Sequence, residues 1–210
     1  PFYAEKTLCL HCNVVEPDTG EPYDRDPRGT ATKAEAYLKS TGIGDAFYCG
    51  PEAEFFIFDD VRYAVTPQKV SFQIDSHAAA WNTDTEYDMG NTGHRAAHKG
   101  GYFPVNPIDA GQDLRGEMLT TMKRMGMRTD KHHHEVASGQ HELGLIFGGL
   151  VEQADNIQKY KYVIHNVAHA YGKSATFMPK PMKGDNGSGM HVNMSIWKDG
   201  KPLFAGDRYA

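Results

Sequence analysis

The sequence has no surplus of positive charge and no long apolar run. Its 210 residues include 22 Lys and Arg against 27 Asp and Glu, which gives a formal net charge of -5. Binding to nucleic acid through its phosphates needs a basic surface, so this balance argues against nucleic acid as a partner. Because no stretch of about 18 apolar residues occurs, the sequence also argues against a membrane-spanning segment. These absences predict a globular, cytoplasmic protein.

Cysteine is scarce as well. The three cysteines Cys9, Cys12 and Cys49 are an odd number, which argues against a disulfide framework and fits a reducing compartment. The C-x-x-C from Cys9 to Cys12 is typical of redox and zinc sites, but residues 5–15 are predicted to form a strand. Residues three apart on a strand point to opposite faces, so neither kind of site is expected here. The chain begins with Pro1 rather than Met and is expected to be a fragment of a longer one.

Patterns typical of strands and of helices follow one another without the regular alternation of a βαβ fold. The loop at 16–29, dense in Pro, Asp and Gly, marks a candidate domain boundary. The polar segment 81–107 is interpreted as either a mobile or a functional loop. These patterns indicate an α+β fold in which short neighbouring strands form an antiparallel sheet with flanking helices. Strands are predicted at 5–15, 46–58, 61–65, 71–75, 127–136, 140–150, 175–178 and 190–197, and helices at 32–40, 112–125 and 151–171.

The segment Lys180–His191, with the sequence K-P-M-K-G-D-N-G-S-G-M-H, indicates a functional loop. Its three glycines allow the backbone to approach another group closely, and His191 lies at the start of a predicted strand. An ordinary glycine-rich turn has the same composition, since Gly, Asn, Asp and Ser are the usual turn residues. The choice between the two depends on which other side chains could share a site with His191.

Glu52 and Glu54 stand two residues apart on a predicted strand, so their side chains project from one face, next to the apolar run 55–58. A solvated strand face would explain a lone pair of this kind, because Glu is mostly exposed in proteins. The preceding Gly50 and Pro51 weaken that explanation, since they indicate backbone shaped for a close approach.

A second pair of acids gives a firmer argument. If 127–136 and 140–150 form a hairpin with a four-residue loop, Glu135 lies directly opposite Glu142, with Cβ atoms about 4.5 to 5.5 Å apart. Two carboxylates at about 5 Å repel by roughly 3 kcal/mol at an effective dielectric of about 20. We therefore expect that one of them holds a proton or that a cation lies between them. A three-residue loop would instead put the two acids on opposite faces.

The run of His132, His133 and His134 could be interpreted as a zinc cluster. On a strand, however, His132 and His134 point one way and His133 the other, so at most two of them can bind one ion. A site made mainly of carboxylates with one imidazole suits Mg2+ or Mn2+, hard cations that often bridge to phosphate oxygens. The sequence thus predicts a two-metal site for phosphate chemistry. Its candidate ligands are Glu52, Glu54, Glu135, Glu142 and His191.

Five longer motifs carry a resemblance to a known family. They are G-P-E-A-E-F-F-I-F-D-D at 50–60, K-G-G-Y-F-P-V at 99–105, H-H-H-E-V-A-S-G-Q-H-E at 132–142, Y-K-Y-V-I-H-N-V-A-H-A-Y-G-K at 160–173 and M-P-K-P-M-K-G-D-N-G-S-G-M-H at 178–191. In these motifs and their order the sequence resembles bacterial type I glutamine synthetase along its whole length. The resemblance implies that ATP phosphorylates the γ-carboxylate of glutamate and that ammonia then displaces phosphate to give glutamine.

The resemblance also implies the role of each site residue, with two divalent ions, Mg2+ or Mn2+, and ATP as co-substrate. Glu54, Glu135 and Glu142 would hold the ion that organises glutamate and the ammonium site, and Glu52 and His191 would hold the ion that binds the phosphates of ATP. Further implied roles are glutamate binding by Asn186 and Gly187, a place in the ammonium pocket for Tyr102, and ATP contacts at Asp130, Asn193 and Ser195. Asp130 and Asn193 depart from the family, which often has Glu and His at these positions.

The fold implied by the resemblance is a half-barrel catalytic domain, with residues 27–210 as its first part and residues 1–26 as the C-terminal tail of a β-grasp domain. The implied assembly is a large homo-oligomeric ring, a dodecamer, with active sites between subunits. Because the resemblance covers less than half of a family chain, the 210 residues alone are expected to be inactive. Two alternatives stay open: a related γ-glutamyl-amine (polyamine) ligase and a non-catalytic family member.

Overall fold

The computed structural model describes residues 2–81, 85–88, 90 and 92–208 of the chain. In the segment predicted as a loop at 81–107, positions 82–84, 89 and 91 therefore lie outside the described residues. The helices are α1 (Pro27–Thr41), α2 (Gln112–Arg124) and α3 (Leu150–Ala170). The strands are β1 (Ala46–Phe58), β2 (Asp60–Thr66), β3 (Lys69–Asp75), β4 (Thr129–His134), β5 (Gln140–Leu145), β6 (Gly148–Gly149), β7 (Ser174–Thr176), β8 (Met190–Lys198) and β9 (Lys201–Pro202).

The chain divides into two compact units. The first comprises residues 1–51, 146–159 and 192–210, and the second comprises residues 52–145 and 160–191. The strands β1 and β8 and the helix α3 each contribute residues to both units. None of the described helices has the length and apolar character needed to cross a membrane.

Helix α1 of the first unit begins and ends at residues with clear capping roles. Asp26 accepts hydrogen bonds from the backbone N–H groups of Arg28 and Gly29, and Pro27 occupies the first turn. Gly42 ends the helix in the left-handed conformation, which confirms the predicted glycine stop. The helix begins several residues earlier than predicted, because its cap and proline precede the first residue of the apolar periodicity.

The prediction of a strand at 5–15 is wrong. In the described part of the chain this segment makes only an isolated bridge, in which Val15 pairs with Pro22. Its side chains are exposed, so the apolar pattern has no partner strand to pack against. Cys9 and Cys12 are free and exposed. Strand geometry is therefore not a valid reason to set aside a redox or zinc site at these two cysteines.

The predicted range of strand β1 is confirmed, and its residues from Glu52 onward belong to the second unit. It pairs antiparallel with β5 along Glu54–Phe56 and with β7 along Phe56–Phe58. The run 55–58 is buried throughout, and a core cluster combines Phe56 and Phe58 with Ala137 and Met182. A strand covered on both faces has a continuous apolar run rather than an alternating one, which explains this part of the sequence.

Helix α2 and the part of α3 from Tyr160 onward belong to the second unit, and both contact its strands. Leu114, Met118 and Met122 of α2 are buried, as their helical spacing predicts, and the helix packs against β4. The C-terminal part of α3 contributes Tyr160, whose hydroxyl donates to the carbonyl oxygen of Ala53 at 2.7 Å. These contacts fix the strands that carry the candidate site residues.

The strands β2 and β3 form a separate two-stranded ribbon. The register pairs Val61 with Ile74, Tyr63 with Phe72 and Val65 with Val70, so that all six side chains share one face. The sequence predicts both strands, and each is slightly longer than predicted.

Candidate metal centre

Two carboxylates and an imidazole lie in a row across three neighbouring strands of the second unit. Glu54 on β1 is directly opposite Glu142 on β5, and Glu142 is directly opposite His133 on β4. Directly opposed residues share one face of a sheet, with Cβ atoms about 4.5 to 5.5 Å apart. Glu52, two residues before Glu54 on the same strand, has its side chain on the same face. The strand register thus concentrates acidic groups on one face of the sheet.

The predicted opposition of Glu135 and Glu142 is wrong. Strand β4 ends at His134, and β5 begins at Gln140, where the carbonyl oxygen accepts a hydrogen bond from the N–H of Glu135 at 2.8 Å. The pairing is shifted by two positions from the predicted one, so that His133 faces Glu142. The shift is an even number of residues, so the side chain of Glu135 stays on the same face as those of His133 and Glu142.

His133, Glu135 and Glu142 form a compact group, called the enclosed cluster below. One ligand atom from each lies within 4.8 Å of the other two. The Nε2 atom of His133 is 2.8 Å from Oε1 of Glu135 and 3.9 Å from Oε2 of Glu142. All three residues are buried. His133 is the residue that sequence reasoning missed, although its spacing of two from a candidate carboxylate on a predicted strand could have identified it.

Negative charge is costly inside the enclosed cluster. Burial first, and then the charges of Glu52, Glu135 and Glu54, raise the pKa of Glu142 to about 7. The buried Nδ1 atom of His133 has no hydrogen-bond partner among the described residues. A divalent cation would offset the repulsion between these acids. Carboxylate oxygens with one imidazole are a donor set that fits Mg2+ or Mn2+.

The loop at 101–103 covers the imidazole of His133. The N–H of Gly101 donates to the carbonyl oxygen of Val136 at 3.1 Å, and the N–H of Phe103 donates to that of His134 at 3.2 Å. The ring of Phe103 stacks on the ring of His133, with centroids 4.4 Å apart and planes inclined by 12°. Phe103 has a φ of 53°, which is uncommon for a bulky residue. Its backbone is thus held in a conformation that presents the ring to the enclosed cluster.

Tyr102, the candidate ammonium-pocket residue, is exposed beside this stack. Its ring meets the ring of His133 edge-on at a centroid distance of 5.7 Å. The preceding Gly101 is packed so closely that an added Cβ atom would lie 2.5 Å from the carbonyl oxygen of Glu135. Only glycine permits this approach, which explains its place in the K-G-G-Y motif.

Glu52 and His191 form a second group, called the open pair below. The Nδ1 atom of His191 lies 3.7 Å from Oε2 of Glu52. The side chain of His191 is 80% exposed and that of Glu52 is 37% exposed. Both residues belong to the second unit, like the enclosed cluster.

The glycine-rich loop before His191 is tied to strand β1. The N–H of Gly189 donates to Oε2 of Glu54 at 3.0 Å, and the N–H of Glu54 donates to the carbonyl oxygen of Gly189 at 2.9 Å. At Gly187 an added Cβ atom would lie 2.3 Å from the carbonyl oxygen of Pro179, so a side chain cannot fit there. Asn186 is half-buried, and its N–H donates to Oδ1 of Asp185 at 2.9 Å.

The three candidate ATP-contact residues lie on two strands. Asp130 is exposed near the start of β4, in the second unit. Asn193, which is exposed, and Ser195, which is half-buried, lie on the part of β8 that belongs to the first unit. The hydroxyl oxygen of Ser195 accepts a hydrogen bond from Nε1 of Trp197 at 3.0 Å.

The fold and the acidic face together define the class of this protein as an α+β domain with a candidate divalent-metal centre. Comparison with known proteins narrows that class to one family. A family model described as "Glutamine synthetase, catalytic domain" matches residues 24–210, and the chain belongs to that family.

Curated bacterial proteins match the chain over its whole length. The chain is 82% identical over 210 residues to a glutamine synthetase of Rhodobacter capsulatus and 80% identical over 210 residues to one of Cereibacter sphaeroides. These matches cover 100% of this chain but 48% and 45% of the two relatives, so the chain spans about half the length of the curated relatives it matches. They confirm the resemblance that the motifs indicate.

A solved structure gives the same result for the fold. The chain is similar to a Plasmodium falciparum glutamine synthetase determined by cryo-electron microscopy, with a TM-score of 0.82 and 29% sequence identity. That match covers 90% of this chain and 37% of the other. It confirms the α+β class, with an antiparallel sheet and flanking helices from a half-barrel catalytic domain.

Proposed function

We propose that the full-length protein ligates ammonia to the γ-carboxylate of L-glutamate at the expense of ATP, giving L-glutamine, ADP and phosphate. The observation that carries this proposal is that Glu54 lies directly opposite Glu142 on the sheet, and that Glu142 lies beside Glu135 in the enclosed cluster. These are the acids to which the resemblance assigns the metal beside glutamate. Family membership, with identity of 82% to one glutamine synthetase, supports the same activity.

Two divalent ions, Mg2+ or Mn2+, are part of this proposal, one at three of the acids and the other at the open pair. Glu54, Glu135 and Glu142 would hold one ion, and Glu52 and His191 would hold the other. When bound, the ions neutralise negative charge on the transferring phosphoryl group and on the leaving phosphate. His133 is not one of these proposed ligands, and its contact with Glu135 at 2.8 Å would orient that carboxylate.

The remaining proposed roles of this chain are to bind and orient the substrates. The amide of Asn186 and the backbone at Gly187 would bind the α-carboxylate end of glutamate. Tyr102, beside the imidazole of His133, would line the ammonium pocket. Asp130, Asn193 and Ser195 would contact ATP. In the reaction, the γ-carboxylate takes the terminal phosphoryl group of ATP, and ammonia then attacks the carbonyl carbon as the bond to phosphate breaks.

The proposed domain organisation assigns residues 27–210 to the first part of the catalytic domain and residues 1–26 to the C-terminal tail of a β-grasp domain. The start of the family match at residue 24 supports that division. We further propose that the full-length protein is cytoplasmic and forms a dodecameric ring with active sites between subunits. The chain spans 48% of the Rhodobacter capsulatus protein and 45% of the Cereibacter sphaeroides protein, so the 210 residues alone are expected to be inactive.

The test uses the full-length protein with glutamate, ammonium, ATP and either Mg2+ or Mn2+. The expected products are glutamine and phosphate in equal amounts, and with hydroxylamine in place of ammonium the product is γ-glutamyl hydroxamate. Glu54→Ala is expected to abolish this activity, whereas Glu16→Ala, which removes an exposed carboxylate, leaves it unchanged. Activity on a polyamine with none on ammonium would favour the related ligase, and an unchanged rate in Glu54→Ala would overturn the metal assignment.

A further inference from the structure

Gln140 is a buried amide that no assigned role explains. It is the first residue of β5 and is 1% exposed. Its Nε2 atom donates to Oε2 of Glu54 at 2.5 Å and to the carbonyl oxygen of Gly187 at 2.9 Å. Its Oε1 atom accepts from the N–H of Ala137 at 3.1 Å. Glu54 is 86 positions away in the sequence and Gly187 is 47 positions away, so the side chain connects distant segments.

These hydrogen bonds allow a single orientation of the amide. The carboxylate of Glu54 and the carbonyl of Gly187 only accept, and the N–H of Ala137 only donates. A flipped amide would therefore lose all three bonds. Both amide hydrogens and one acceptor site are in use, which fixes the side chain with respect to three partners. Glutamine is the residue type that supplies two donors and an acceptor at this length without adding charge.

The three partners belong to three parts of the candidate site. Glu54 is a proposed metal ligand, Gly187 lies in the proposed glutamate-binding loop, and Ala137 lies in the link between β4 and β5. The backbone carbonyl of Gln140 also accepts from the N–H of Glu135 at 2.8 Å, which ties a second proposed ligand to the same residue.

The geometry at Glu54 indicates what the amide does. Its Oε2 atom accepts from Nε2 of Gln140 and from the N–H of Gly189, whereas Oε1 accepts from no residue in the described part of the chain. Two donors on one oxygen fix the plane of the carboxylate and leave the other oxygen for a cation. Partners of this kind orient metal ligands, and their loss typically lowers metal affinity or activity about 10- to 100-fold.

We infer that Gln140 is a positioning residue, which sets the carboxylate of Glu54 and the backbone of Gly187 in one mutual geometry. This role rests on the proposed function only where glutamate is concerned. Its effect on cation binding follows from the contact with Glu54 alone. A purely structural role in the link at Ala137 is the competing explanation, and the two predict different results.

Two substitutions in the full-length protein separate these explanations. Gln140→Met keeps the length of the side chain and removes all three hydrogen bonds. Gln140→Glu keeps an oxygen for the N–H of Ala137 but removes both donations, to Glu54 and to Gly187. Gln153→Met is the matched control, because Gln153 is also a buried amide, 2% exposed, and donates to the carbonyl oxygen of Ile146.

The main measurement is a titration with Mn2+ alone, followed by the kinetics of glutamine formation. Both Gln140 variants are expected to raise the Kd for Mn2+ and the KM for glutamate about 10-fold or more, while the KM for ATP stays within about twofold. Gln153→Met is expected to leave all three constants within about twofold of the wild type. If Gln140→Glu binds Mn2+ and glutamate as the wild type does, the amide only stabilises the link between β4 and β5 through Ala137. The inference would then be overturned.

The titration also separates this inference from the proposed function. A wild-type protein that makes no glutamine would refute the proposed function, but the Kd for Mn2+ would still test the position of Glu54. Conversely, an active wild type whose two Gln140 variants retain the Kd for Mn2+ would refute the positioning role and leave the proposed function intact.

Discussion

The enclosed cluster and the open pair contain the same kind of contact in two different environments. His133 lies 3.9 Å from Oε2 of Glu142, and His191 lies 3.7 Å from Oε2 of Glu52. The side chains of His133 and Glu142 are 8% and 10% exposed, whereas that of His191 is 80% exposed. Nearly equal distances therefore have different electrostatic consequences, because water screens the open pair and is excluded from the enclosed cluster.

This difference indicates how the two groups would take a cation. In the enclosed cluster the acids already repel one another, so a cation removes an existing cost and should bind tightly. In the open pair, water solvates the acid and the imidazole, and a cation gains little from these two side chains alone. We therefore expect the open pair to depend on additional ligands, such as the phosphates of ATP.

The largest expected effect comes from removing one acid of the enclosed cluster. Glu142→Gln keeps the size of the side chain but removes its negative charge and one of its two oxygen atoms. We expect the activity of the full-length protein to fall at least about 100-fold, since the loss of a residue that only orients a metal ligand already lowers activity by up to about 100-fold. The measurement is the rate of glutamine formation at saturating Mn2+. Glu16→Gln is the exposed control, and a fall of less than tenfold in Glu142→Gln would show that the cluster holds no essential cation.

The second prediction concerns stability without metal. The pKa of Glu142 is raised from 4.5 to about 7 in the folded state. Between these values the folded state holds a proton that the unfolded state has lost, so the free energy of unfolding falls as pH rises and levels off above about 7. A rise from 4.5 to about 7 corresponds to a total contribution of roughly 3 to 4 kcal/mol, because one pKa unit corresponds to about 1.4 kcal/mol.

Urea unfolding of the metal-free full-length protein at pH 5 and pH 8 measures this effect. The wild type should lose more stability than Glu142→Gln over that interval, and the difference between the two proteins isolates the contribution of Glu142 from those of other groups. Equal losses in both proteins would mean that the acid is as well solvated as the members of the open pair.

The face that carries the acids follows from the sequence, but the partners of each acid do not. A period of two along 46–58 suffices to put Glu52 and Glu54 on one side of β1. The pairing of Glu142 with His133 depends on the length of the link after β4, which the apolar pattern does not encode. Because the register is shifted by two residues, Glu135 and Glu142 stay on the same face of the sheet, but the residue directly opposite Glu142 changes.

Contacts between residues that are distant in the sequence could not be predicted, for a different reason. The contact between Gln140 and Glu54 joins positions 86 residues apart, and no local periodicity records it. Residues 5–15 have the pattern of a strand, yet a strand needs a partner, and in the described part of the chain only Val15 has one, Pro22. The resemblance identified the family because it used whole motifs rather than periodicity.

The third prediction tests the open pair. His191→Ala is expected to lower activity about tenfold through a higher KM for ATP, with little change in the Kd for Mn2+ measured without nucleotide. An exposed side chain contributes little packing, so the change in stability should stay within about 0.5 kcal/mol. His169→Ala, at an exposed position of α3, is the matched control. A large loss of Mn2+ binding without ATP would show that the two groups act as one site.

The smallest expected effect is at the ring that covers the enclosed cluster. Phe103→Leu removes the stack on His133 and keeps an apolar side chain, and aromatic pairs of this kind contribute about 0.5 to 1.5 kcal/mol beyond their buried area. We expect the Kd for Mn2+ to rise about 3- to 10-fold while the effect of His191→Ala on the KM for ATP is unchanged in the double variant. Phe103→Leu could instead alter the KM for ATP and leave the Kd for Mn2+ constant. That result would mean that the stacked ring contributes to nucleotide binding. Burial under this ring would then not be the property that distinguishes the metal binding of the enclosed cluster from that of the open pair.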